Sequence, residues 1–180
     1  MTSDFYAKLA AVRRRIHAHP EISENEFETT AFLKEYISKL GIRILETDLP
    51  TGFIAEIGHG KPVIALRADI DALPIKEKNT FDYASQNGAM HACGHDFHQT
   101  SLLGAVEILK AKEEQLKGTV RLIFQPAEEV SVGAYQVIEN GGLKDVSAII
   151  GYHNYPHLKP GKIGLRSKAI MAAVDKFKVT

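Results

Sequence analysis

KPVIALRADIDALP, residues 61–74, is the stretch that decides the fold of this chain. From Val63 onward the run is almost continuously apolar, which suits a central strand covered on both faces rather than one with a wet side. Its carboxyl end delivers Asp69 and Asp71 into the loop DIDALP, and the carboxyl ends of strands are where open α/β sheets hold their chemistry. Two more runs share this character. TVRLIFQ at 119–125, opened by Gly118, ends in PAEE, and VSAIIGYH at 146–153 ends on His153. Three strand ends therefore point at one place.

Around these runs, IRILE at 42–46 and GFIAEIG at 52–58 read as short strands between Pro, Gly and Thr breaks. Helical spacing covers residues 5–18 through Phe5, Leu9, Val12 and Ile16, and resumes from Asn25 until Gly41 stops it. Between them, HAHPEISENE carries a proline that ends the first helix and a Ser23-to-Glu26 capping-box spacing that can start the second. His17 and His19 then read as terminal or packing residues. A third helix is expected over 98–112, directly after HACGHD, and a short one over 131–140, ended by Gly141 and Gly142. The class is α/β, a mixed central sheet with helices on both faces, spanning residues 1–168. From Ala169 the tail alternates like the first strand of a second domain over 169–180.

Composition narrows the function classes. Twenty-two basic residues balance 22 acidic ones along the chain, so nothing points to a nucleic-acid or membrane partner, and a small substrate is expected. Cys93 is the only cysteine, which excludes an internal disulfide and makes the reducing cytoplasm the expected setting. The start, with Asp4, Lys8 and three consecutive arginines, lacks the apolar stretch of a secretory signal, and no run reaches membrane-spanning length.

The chemistry-bearing residues lie past strand ends and ahead of a helix start. His91, Cys93, His95, Asp96 and His98 crowd into MHACGHDFH, a density that core filling does not explain. In an extended loop Cys93 and His95 would project to the same side and reach one ion, with Gly94 relaxing the turn. His91 and His98 read as supporting or packing residues. Glu128 and Glu129 follow Pro126 at the end of a buried strand and must point in different directions. One can bind metal while the other acts as a base toward water, and His153 can add a further imidazole. Asp69 and Asp71 either orient a ligand histidine or cap the next turn. Sulfur, imidazole and carboxylate donors favour zinc, with manganese, cobalt or nickel also compatible. A Cys/His nucleophilic dyad at Cys93 is the competing chemistry, though a thiolate committed to a metal does not serve as nucleophile.

Taken together, RADIDALPI, MHACGHDFHQTSLLGA, LIFQPAEE, GYHNYP and IMAAVDKF resemble the M20 family of metallopeptidases and amidohydrolases, in its aminoacylase and hippurate hydrolase-like branch. The resemblance implies a zinc-peptidase-like catalytic domain with a two-metal centre at Cys93, His95, Glu129 and His153, and with Glu128 as general base. It implies hydrolysis of N-acyl amino acids by a metal-activated water. N-acetyl amino acids, N-acetyldiaminopimelate, hippurate-like amides and auxin conjugates are candidate substrates. A dipeptidase or carboxypeptidase of the same family, or a non-catalytic metal-binding remnant, are the alternatives. Members of the family are longer, form homodimers, and carry a lid domain after the equivalent of residue 168 and a further metal-binding histidine near their end. This chain alone is therefore expected to be weakly active or inactive.

Overall fold

The computed structural model describes residues 2–171. Five strands form one mixed sheet in the order β1-β2-β4-β3-β5. They are β1 (Arg43–Ile44), β2 (Phe53–Gly58), β3 (Val63–Asp69), β4 (Thr119–Gln125) and β5 (Val146–Ile150). β3 runs parallel to both β4 and β5, while β2 pairs antiparallel with β1 and β4. The register Asp69↔Gln125 aligns the carboxyl ends of the two central strands, so the loops carrying Asp71 and Glu128–Glu129 leave the sheet side by side. The helices are α1 (Ser3–Ala18), α2 (Phe27–Lys39), α3 (His95–Lys110) and α4 (Gly133–Glu139).

Alternation along the strands divides the core into two layers. Phe53, Ala55, Ile57, Ala68, Leu122 and Phe124 face Ile16 of α1, Leu33 and Ile37 of α2, and Leu102, Leu103 and Val106 of α3. Ile54, Ala65 and Ile123 face Leu49 and Val137 of α4. Helices thus cover both faces, as the apolar strands require. Phe53 and Phe124 stack across β2 and β4 with ring centroids 4.6 Å apart, both fully buried. Each such ring contributes about 1.5–3 kcal/mol of burial. No helix among the described residues is long and apolar enough to cross a membrane.

Several boundaries differ from the sequence reading, each for a physical reason. The Ser23–Glu26 capping box does not form: α2 has no cap bond from Glu26. Ser23 Oγ instead donates to Asp71 Oδ2 at 2.6 Å, and Glu21 accepts from the first-turn amides of Glu28 and Thr29 at 3.1 and 2.7 Å. A carboxylate six residues before Phe27 does the capping, which leaves Ser23 and Glu26 free for partners distant in sequence. Helix α3 starts at His95, not at 98, because Gly94 takes a left-handed turn at φ 94°. Cys93 and His95 therefore do not sit in an extended loop; the ions they could share are reached across a turn and the first residue of a helix. β1 is shorter than 42–46, and β5 ends at Ile150, leaving His153 in the following loop. From residue 172 on, the strand expected over 169–180 lies outside the described residues.

Candidate metal centre

His95 is fully buried, and its ring orientation is fixed by hydrogen bonding. Nδ1 lies 2.9 Å from the Asp71 carbonyl oxygen and 3.2 Å from Asp71 Oδ1. Both neighbours are acceptors, so Nδ1 carries a proton, and in the neutral ring Nε2 presents a lone pair. That nitrogen faces Asp69 Oδ2 at 3.5 Å, Glu129 Oε1 at 3.7 Å and Glu128 Oε2 at 3.9 Å. Among the described residues, His95 Nε2 and Glu129 Oε1 are buried polar atoms without a hydrogen-bond partner. Two lone pairs turned toward each other at that separation repel unless a proton or a cation lies between them.

Cys93 and His153 complete the group. Cys93 Sγ is 3.3 Å from His153 Nε2, and His153 Nδ1 lies 2.7 Å from the Asn154 carbonyl, so this ring too directs Nε2 inward. One donor atom each from Cys93, His95 and His153 falls within 4.8 Å of the others, and the same holds for His95, Glu128 and Glu129. His95 belongs to both groups. The loop bearing His153 is tied to α3 through the Asn154 amide, which donates to His98 Nε2 at 2.8 Å, and through the Tyr152 hydroxyl, which donates to the Phe97 carbonyl. Gly94 makes this approach possible. A Cβ there would stand 2.8 Å from Asn154 Nδ2, on top of the left-handed backbone.

The electrostatics report a site short of positive charge. Burial pushes the Cys93 thiol up to about 12, with Glu129 adding to the effect. Burial also raises Glu129, and Glu128 and Asp71 reinforce it against the opposing pull of His95. For His95 burial works downward, yet the Asp71 hydrogen bond and the charges of Asp69, Asp71 and Glu129 lift it to about 9. A divalent cation would relieve all of these at once. Sulfur, nitrogen and oxygen donors, with two buried polar atoms lacking partners, therefore fit a metal of the zinc type.

Each residue singled out in the sequence has a definite place. Asp71 holds His95 and also accepts the Glu129 amide at 2.9 Å through Oδ2. Asp69 accepts from His98 Nδ1 at 2.6 Å and from Arg67 at 2.7 Å, and despite burial these partners hold its carboxyl well below the usual range. Both nitrogens of His98 are thereby engaged, which makes it a strut between β3 and the His153 loop. His17 is more than a terminal residue: it is buried between Asp96 at 2.8 Å and Glu77 at 3.0 Å. His19 bonds the Arg15 carbonyl of its own helix. His91 is buried with neither ring nitrogen bonded among the described residues, and burial lowers it to about 4. The contributions of Ser23 and Glu26 to the strand-end loops escaped the sequence reading; the only signal was two polar residues in a capping pattern that a nearby acid, Glu21, made redundant.

Comparison with known proteins bears on this geometry. Peptidase family M20/M25/M40 matches residues 65–179, well over half of the chain and all of the strand-end segments just described. The chain belongs to the M20 peptidase family. Among curated relatives of this M20 chain, N-acetyl-L-cysteine deacetylase of Bacillus subtilis is 54% identical over 96% of the chain and 42% of its own length. An IAA-amino acid hydrolase of Arabidopsis thaliana (ILR1-like 5) is 44% identical over 98% of the chain and 41% of its own length. The M20 chain thus spans less than half the length of these relatives. A solved Bacillus subtilis structure, described as a dinuclear metal binding peptidase from the M20 family, superposes with a TM-score of 0.89 at 49% identity. It covers 92% of the chain and 47% of the solved one. The mixed sheet with helices on both faces is accordingly the catalytic-domain fold of M20 enzymes.

Proposed function

We propose that this M20 chain carries the metal-binding part of an amidohydrolase acting on N-acyl amino acids. Cys93, His95, Glu129 and His153 would hold a centre of two divalent ions, with Glu128 as general base. The observation that carries the reading is the convergence on His95 Nε2 of Glu128 and Glu129 from one loop, with Cys93 and His153 paired beside it. N-acylated amino acids are the substrate class that the names of the deacetylase and the IAA-amino acid hydrolase share.

Bound divalent ions supply Lewis acidity that polarises an amide carbonyl and makes water more acidic. The chain's own residues do the rest. Asp71 keeps the proton of His95 on Nδ1, so that Nε2 stays available as a ligand. Glu129, tethered by its amide to the same Asp71, turns its carboxylate inward with 18% of the side chain exposed. Its neighbour Glu128 is 40% exposed, open toward solvent where a substrate amide would approach. From there Glu128 takes a proton from the attacking water and returns it to the leaving nitrogen as the C–N bond breaks. The products are a carboxylic acid and a free amino acid.

The Cys93–His153 pair also has the form of a nucleophilic dyad. Against that, Glu128 and Glu129 both disfavour a free thiolate at Cys93, and the relative of known structure binds two metals. Glu128→Gln separates the readings. With zinc bound, the variant should keep its metal content and lose about 10²–10⁴-fold in kcat toward N-acetyl amino acids. Turnover that survives this change, or that resists chelation but falls on thiol alkylation, would refute the proposal.

A further inference from the structure

The loop that carries Glu128 and Glu129 is gripped from a direction the metal centre does not explain. Glu26, at the N-cap of α2, is fully buried, whereas an acid is normally solvated. Its Oε1 accepts the backbone N–H of Ala127 at 2.8 Å, and its Oε2 accepts the hydroxyl of Thr51 at 2.7 Å. Ala127 is itself fully buried and sits at φ 46°, a left-handed conformation that costs a residue with a Cβ about 1–2 kcal/mol. Burying a carboxylate and straining an alanine are both unfavourable, and they occur at the same hydrogen bond.

The surroundings make this bond a fixed point. The Ala127 carbonyl accepts from the amides of Val132 and Gly133, and a Cβ on Gly133 would lie 1.6 Å from the Pro126 carbonyl oxygen. Behind Glu26, Gly52 packs where a Cβ would meet Phe124 and Pro126, and its amide donates to Thr30 of α2 at 2.8 Å. Two residues further on, the Glu129 amide donates to Asp71. The Pro126–Ala127 peptide is thus held by Glu26, the next one by the amides of Val132 and Gly133 on the Ala127 carbonyl, and the Glu128–Glu129 peptide by Asp71. Among the described residues Glu128 has no side-chain hydrogen bond, so its backbone anchors set where its carboxylate stands.

We propose that Glu26 is a positioning residue for the reaction: by holding Ala127 in its left-handed turn it aims Glu128, without touching substrate or metal. This rests on the reading of Glu128 as general base. A side chain displaced by about 1 Å can cost roughly 100-fold in rate, so the effect belongs in kcat and not in metal affinity. Glutamine at this position keeps an oxygen for the Ala127 amide, and its NH₂ can donate to Thr51 Oγ; alanine keeps neither.

The test compares Glu26→Ala, Glu26→Gln and Glu128→Gln in the zinc-loaded protein, measuring kcat, KM, metal content and amide hydrogen exchange of residues 126–129. Glu26→Ala should lower kcat by roughly 10- to 100-fold, leave KM and metal content near those of the parent, and speed exchange in the loop. Glu26→Gln should recover most of the loss and the protection. Unchanged kcat in Glu26→Ala with faster exchange would overturn the proposal while leaving the clamp intact. Loss of metal in step with kcat, or failure of glutamine to rescue in a folded variant, would also overturn it by reducing Glu26 to a structural support. Should Glu128→Gln retain turnover, the base assignment fails instead, and the exchange data alone still say whether Glu26 holds the loop.

Discussion

Replacing Asp71 with asparagine exchanges one carboxylate oxygen for an NH₂ and is expected to weaken the whole centre. Asp71 is fully buried, and its two carboxylate oxygens are both used as acceptors. Oδ1 faces the protonated Nδ1 of His95 at 3.2 Å, while Oδ2 takes the Ser23 hydroxyl at 2.6 Å and the Glu129 amide at 2.9 Å. An asparagine amide has one acceptor oxygen and one donor nitrogen. If the oxygen serves Ser23 and Glu129, the NH₂ opposes the His95 N–H; if it serves His95, the NH₂ opposes the Glu129 amide. In the first case the His95 N–H keeps the Asp71 backbone carbonyl at 2.9 Å but faces a like donor; in the second the Glu129 amide loses its acceptor, at about 1–3 kcal/mol of folding stability, which for a chain of this size lowers Tm by about 2–4 °C per kcal/mol. The larger effect falls on the ligands. Loss of a carboxylate that orients a metal-binding histidine weakens metal affinity by about 10- to 100-fold, or about 1.4–2.8 kcal/mol. Competition titration of zinc against a chromophoric chelator, on parent and Asp71→Asn protein, measures this directly. Affinity within twofold of the parent would refute the claim that Asp71 orients His95 and anchors Glu129 for metal.

Other expectations follow from the same structure. Gly94→Ala places a Cβ at φ 94° and 2.8 Å from Asn154 Nδ2, so it should destabilise the fold by at least about 1–2 kcal/mol in denaturant titration and loosen the His153 loop. His17, buried with Asp96 and Glu77, has a pKa held above its ordinary 6.5 because the Asp96 hydrogen bond, with help from Glu77, outweighs burial. The stability it adds is full below 6.5 and fades as pH climbs through the raised folded value. The Tm gap between parent and His17→Asn should accordingly be widest in mild acid and narrow in alkali. Zinc at 100 times its Kd should add about 2.7 kcal/mol to stability, reversibly on chelation, and Cys93→Ser should lose most of that increment.

How much of this was legible beforehand depended on the range of the interactions. KPVIALRAD and TVRLIFQ read as buried strands because their apolar character is local, and their alignment at Asp69 and Gln125 follows from parallel pairing. Cys93 and His95 stood out by residue type and crowding ahead of a helix, and Glu128, Glu129 and His153 by residue type and by their position past strand ends. The polar framework behind them did not. Ser23 and Glu26 look like a helix cap in sequence, but Glu21 takes that task, and the freed side chains reach Asp71 and Ala127, 48 and 101 residues away. No local pattern encodes such partners. The start of α3 at His95 was hidden for a related reason: the turn at Gly94 is specified by the close approach of Asn154 from a loop 60 residues on.

Anomalous diffraction from crystals grown with zinc tests the central claim most directly. Metal peaks are expected about 2.3 Å from Cys93 Sγ and about 2.0–2.2 Å from His95, Glu129 and His153, with Glu128 beside the ions and not bound as a ligand in place of Glu129. Zinc found elsewhere, with Cys93 Sγ and His95 Nε2 both free of it, would contradict the account.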